Sequence, residues 1–180
     1  PFVNNDLMMV SPVDKYDIFP DDNTLDIGQS GDGDHIILLI EYADRLLQFK
    51  QNKLFIINIS EDLEFVEGEY DYMGIQYPYQ ATKIPDGIAW INQNGCYLYN
   101  GEEVVNLIKG KIGNNGELDS ESLEKFPSWN VFVGDTAMIG YIPNNRQLVI
   151  FQDPIGISEF GNVLIYDIDN EAWTRGCDRV

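Results

Sequence analysis

The chain has 180 residues, 44% of them hydrophobic and 12% aromatic, which is enough apolar material for a buried core and excludes wholesale disorder. Eleven basic against 30 acidic residues give a formal charge of −19, which argues against a nucleic-acid or anionic-membrane surface. No apolar run approaches the roughly 20 residues of a membrane helix, nothing at the start has a signal-peptide layout, and two cysteines are too few for a disulfide scaffold.

In chain order, residues 1–34 read as an acidic, loop-rich lead segment with little core of its own, with eight aspartates against Lys15 and turn formers Pro20, Gly28, Gly31 and Gly33. From Ile36 the texture changes. Ile36–Ile40, Leu46–Phe49 and Leu54–Ile59 are short apolar runs separated by polar connectors, the pattern of an antiparallel meander. The figure recurs at Gly87–Ile91, Cys96–Tyr99 and Val104–Ile108, where Asn94-Gly95 predicts a type I′ hairpin. It recurs again at Ala137–Ile142, Gln147–Phe151, Asn162–Ile168 and Glu171–Thr174.

Hairpin turns near Asp44, Asn94 and Asn144 stand 50 residues apart. A period near fifty with about four short strands per repeat predicts β-propeller blades rather than a sandwich. The expected fold is therefore all-β: about three four-stranded antiparallel blades, repeats 35–84, 85–134 and 135–180, with one short helix over Asp119–Phe126 in a connecting loop. Propellers close with about four to eight blades. Three repeats, and an opening at Pro1 without Met, predict a partial propeller from a longer chain.

Chemistry is thinly advertised. Asp32 and Asp34, flanking Gly33 and followed by His35, are the nearest approach to a calcium loop, but the twelve-residue ligand pattern is absent and no metal or cofactor is expected. His35, Cys96 and Cys177 are too scattered for zinc. Cys96 alternates with Tyr97, Leu98 and Tyr99 as an inward-facing small side chain. Cys177 lies between Arg175 and Arg179 and reads as a loop thiol. No nucleophile elbow accompanies the lone histidine. The run Glu61, Asp62, Glu64, Glu67, Glu69, Asp71 holds no basic residue and reads as the acidic outer edge of a strand. These readings predict no enzyme. The interaction candidates are Tyr70, Tyr72, Tyr77 and Tyr79, an aromatic stretch suited to a protein interface, to sugar stacking or to packing between blades.

The pairs Asp44–Lys50 with Leu54–Ile59, Gly87–Gly101, and Leu164–Thr174 with its Tyr166-Asp167 and Trp173 resemble strand elements of β-propeller virion proteins of tailed bacteriophages. The closing hairpin is also similar to kelch-type blades, although the kelch glycine doublet is missing. The resemblance spans about residues 34–175. It implies a structural part of a phage neck or tail, of the tail hub, stabilisation or muzzle-like kind, with crAss-like phages as a candidate source. It further implies location in the virion, or free in the host cytoplasm before assembly. Partners would be other virion proteins and copies of the chain in a ring. It offers no catalytic residues. The alternative expectation is a glycan-binding or glycan-cleaving propeller, motivated by the tyrosines beside many carboxylates.

Overall fold

In the computed structural model of the chain, the residues described are 6–12, 14–27, 34–60, 64–113, 128–152 and 163–176. They are all-β, in one two-stranded and three four-stranded antiparallel sheets. The chain divides into two compact units, residues 1–74 and 75–180.

In the first unit, β1 (Leu7–Met9) pairs with β2 (Thr24–Asp26), and β3 (Ile36–Tyr42), β4 (Arg45–Lys50), β5 (Lys53–Asn58) and β6 (Phe65–Asp71) form a sequential meander. The lead segment is therefore not a separate region. Met8 and Ile27 pack with Phe55 and Ile57, and Leu25, Ile36 and Leu46 join them. The aspartates that made the segment look like loop flank these few apolar positions, and tertiary burial outweighs composition. Beneath the lead hairpin, the fully buried Lys50 ammonium lies 3.9 Å from the Asp6 carboxylate and 5.8 Å from the Phe55 ring centroid. Asp34 closes the β4–β5 turn, its carboxylate accepting from the Gln51 amide at 2.7 Å and the Asn52 amide at 3.1 Å.

Register places Leu47 and Phe49 of β4 on one face with Leu54 and Ile56 of β5, and Gln48 and Lys50 on the other with Phe55 and Ile57. All eight are buried. An antiparallel sheet that leaves one face to water shows apolar–polar alternation, whereas these runs are near-continuous because neither face of the central strands is wet.

The second unit opens with a 3₁₀ turn, Pro78–Gln80. Two meanders follow: β7 (Ala81–Ile84), β8 (Gly87–Asn92), β9 (Gly95–Tyr99) and β10 (Val104–Asn106), then β11 (Met138–Ile142), β12 (Gln147–Phe151), β13 (Val163–Asp167) and β14 (Ala172–Gly176). Between them lies a short helix, α1 (Trp129–Val133). The first strands of the two meanders, β7 and β11, lie against each other. Ile84, Ala89, Ile91 and Cys96 of one sheet share a core with Ile139, Leu148, Ile150, Leu164 and Tyr166 of the other, and α1 contributes Trp129, Phe132 and Val133. The Trp129 indole donates to the Asn92 carbonyl at 2.8 Å and the Trp173 indole to Leu107 at 3.0 Å, with the two rings edge-on at 5.8 Å. On the opposite face of β8–β9, Ile88, Trp90, Tyr97 and Tyr99 are buried as well.

Three expectations change. The strand Ala81–Ile84 belongs to the second meander, so the boundary drawn between 84 and 85 cuts through its first hairpin. Consequently the turn at Asn94 joins the second and third strands of its sheet, while those at Asp44 and Asn144 join first to second. Equivalent turns fall at Asp44, Asp86 and Asn144, intervals of 42 and 58, and the regular fifty arose from comparing unlike hairpins. The Asn94-Gly95 hairpin exists, but neither residue has positive φ. The Asn92 side chain instead accepts from the amides of Asn94 (2.8 Å) and Gly95 (3.1 Å), an Asx closure that replaces the type I′ turn. Glycine is required instead at Gly87, where φ is +150° and a Cβ would stand 1.9 Å from the Tyr99 carbonyl oxygen. The helix expected over Asp119–Phe126 lies outside the described residues. Among the described residues no helix is long and apolar enough to cross a membrane.

Burial pushes the Cys96 thiol far up and the Tyr97 phenol up to about 12. Both groups stay neutral when folded and ionise first in the unfolded chain, so stability is complete below the unfolded pKa and is lost as pH rises above it, from about 8.5 for a thiol. Chemical denaturation between pH 8 and 10 should therefore show a steeper loss in the parent chain than in Cys96→Val. Trp129→Ala should cost about 3–5 kcal/mol by the same measurement at neutral pH, and Trp129→Phe markedly less, because the ring fills most of the same space.

Candidate functional site

The four candidate tyrosines divide between the two units. Tyr70 on β6 is half-buried opposite Leu54, with its ring across Gly68, where a Cβ would come within 2.9 Å of it. Tyr72 follows at 74% exposure with a φ of 63°, a left-handed conformation that a bulky residue adopts only under constraint. Both belong to the first unit. Tyr77 and Tyr79 belong to the second, one on either side of Pro78.

The structure brings Tyr77 and Tyr79 together. Their rings stack at 5.1 Å between centroids and 6° between planes, and each remains about two-fifths exposed (41% and 42%). Proline fixes the first position of the 3₁₀ turn, and Gln80 locks the rest. The buried Gln80 amide oxygen accepts from the Gln76 amide at 2.8 Å and the Tyr77 amide at 3.2 Å, and its nitrogen donates to the Asp135 carbonyl at 2.9 Å. The exposed Asp135 carboxylate in turn accepts from the Gln93 side chain at 2.5 Å. A rigid aromatic pair is thus tied through one buried amide to a surface carboxylate–carboxamide pair. Such a surface can stack against a flat apolar ligand face and accept a hydrogen bond beside it.

Gln80, Gln93 and Asp135 were not singled out from the sequence. A glutamine three positions after the residue that opens a turn is the one available signal, as in a capping box, whereas Asp135 is 55 residues away and only folding brings it in.

The remaining candidates have structural occupations. Asp34 spends its carboxylate on the Gln51 and Asn52 amides, and Asp32 lies outside the described residues. Among the described residues no three His, Cys, Asp or Glu side chains converge as a metal site. The acidic run gains cations from other strands of its sheet. Arg45 grips Glu67 through two nitrogens, and Lys53 lies 2.6 Å from Glu69 and 3.2 Å from Asp71. Hydrogen bonding to Glu69, then to Asp71, raises the Lys53 pKa. Glu61 and Asp62 lie outside the described residues, as does Cys177. Cys96 is buried with a raised pKa, the opposite of an activated thiol. Neither a protein-family model nor a curated protein matches the chain.

Gln80→Ala should free two turn amides and one carbonyl at once, costing about 1–3 kcal/mol. Amide hydrogen exchange is expected to speed up selectively at Gln76 and Tyr77, and unchanged exchange there would contradict the assigned role.

Proposed function

We propose that the chain is a segment of a β-propeller that works as a rigid, non-catalytic scaffold for protein contacts, and that it serves in the neck or tail of a tailed-phage virion. The observation carrying the propeller reading is burial on both faces of the central strands, in β4–β5 and again in β8–β9. In a two-layer sandwich each sheet turns one face to water. Sheets stacked face to face around an axis do not, and neighbouring blades bring their first strands together, as β7 and β11 do. The virion setting rests on the resemblance of the strand elements to phage propeller proteins. A surface with a net charge of −19 also suits a conduit past which DNA moves without adhering.

The test is mass spectrometry of particles banded on a density gradient from the source culture. Peptides of this chain should co-band with DNA-filled particles at a constant ratio to the other virion proteins. Their confinement to the soluble fraction would contradict the reading.

A second reading, glycan binding, is favoured by one observation: the exposed Tyr77–Tyr79 stack tied to Asp135 and Gln93. On a glycan array this reading predicts reproducible binding that Tyr77→Ala/Tyr79→Ala abolishes. A blank array would leave the scaffold reading alone.

A further inference from the structure

The connection from β1 to β2 exposes what a protein ordinarily hides. Tyr16 is 81% exposed, Ile18 46% and Phe19 51%, all within four residues of one loop. Single exposed apolar residues need no explanation, but such a concentration marks a contact surface. The loop is also held in shape. At its base the Val10 amide donates to the Asn23 carbonyl at 2.9 Å and the Asn23 side chain returns a bond to the Val10 carbonyl at 2.6 Å. Along it the Lys15, Ile18 and Asn23 amides donate to Pro12, Lys15 and Pro20 at 3.0, 3.2 and 3.0 Å. These consecutive turns hold the apolar side chains out in water, so little ordering entropy remains to be lost on binding.

The surrounding charge selects the occupant. Asp14, Asp17, Asp21 and Asp22 are exposed around the apolar residues, with Lys15 alone opposing them. A second copy of a chain with a charge of −19 would bring like charge to this rim, and nucleic acid or anionic lipid would do the same. We infer that residues 14–22 form a docking knob whose Tyr16, Ile18 and Phe19 insert into an apolar pocket, rimmed by Lys and Arg, on a different protein. This deepens the scaffold reading, and rests on it, by naming a contact and the chemistry of its partner.

The test uses the full chain and two short peptides, one alternating Lys with Leu and one alternating Lys with Ser, with binding read by fluorescence anisotropy at near-physiological salt. The Lys–Leu peptide should bind at least about tenfold more tightly than the Lys–Ser peptide. Tyr16→Ser/Ile18→Ser/Phe19→Ser should lose about tenfold or more of that affinity. Asp14→Asn/Asp17→Asn/Asp21→Asn/Asp22→Asn, which leaves every apolar contact in place, should lose a similar factor together with most of the salt dependence. Glu102→Gln/Glu103→Gln, a charge loss at an exposed turn of the second unit, should bind like the parent. Equal binding of the two peptides, loop variants that bind like the parent, or an equal loss in the Glu102/Glu103 control would overturn the proposal. So would parent self-association, seen by sedimentation, that the triple-Ser variant abolishes, since that would assign the knob to a second copy. Loop-dependent binding by a chain absent from particles would fail the virion setting alone, and a particle-borne chain with unchanged loop variants would fail the knob alone.

Discussion

The structure depends on keeping both faces of its central strands out of water. Leu47, Phe49, Leu54 and Ile56 line one face of β4–β5, with Phe55 and Ile57 on the other, and Ala89 and Ile91 lie back to back with Ile88 and Trp90 along β8. At about 25 cal/mol per Å² of apolar surface removed from water, no single layer could satisfy such strands. Each sheet needs cover on two sides. The lead hairpin supplies part of it in the first unit, and the third meander with α1 supplies one side in the second. Two of the polar groups buried there are matched locally: Lys50 lies beside Asp6, and the Asn92 carbonyl accepts from the Trp129 indole.

Side-chain carboxylates and carboxamides do much of the remaining work. Asp34 and Asn92 close hairpins, Asn100 accepts from the Glu102 and Glu103 amides, and Asp167 accepts from the Asn170 amide, which lowers its pKa. Others pair with cations delivered by another strand or turn: Glu67 with Arg45, Glu69 with Lys53, and both Asp86 and Asp169 with Arg146. An acidic composition thus becomes a set of turn closures and edge pairs, while the Asp14–Asp22 loop keeps its carboxylates for the surface.

Strand positions were legible because β-branched and aromatic runs of four to seven residues, broken by Asn, Asp and Gly, admit little else. The sheet assignment of Ala81–Ile84 was not, since four residues with one exposed lysine carry a weak pattern and pairing with β8 decides their place. That one strand shifted the comparison of hairpins and produced a spurious regular interval. The lead segment is loop-rich as its composition suggests, with two short strands; what had no local signature is that Met8, Leu25 and Ile27, widely spaced among aspartates, pack against Phe55 and Ile57. Of the four tyrosines, sequence proximity suggested one cluster. Two of them lie in each unit, and the Pro78 turn stacks Tyr77 on Tyr79. Long-range partners such as Gln80 with Asp135 have no local signature.

Two-sided burial can be measured without reference to any ligand or partner. In a Cys96→Ala/Cys177→Ser background, single cysteines placed in turn at Ile88, Ala89, Trp90 and Ile91 would be tested for native-state thiol labelling. Stacked sheets predict four consecutive protected positions, each reacting only as fast as the chain unfolds. Alternating fast and slow labelling along β8 would mean that one face is wet, and the propeller account would fail.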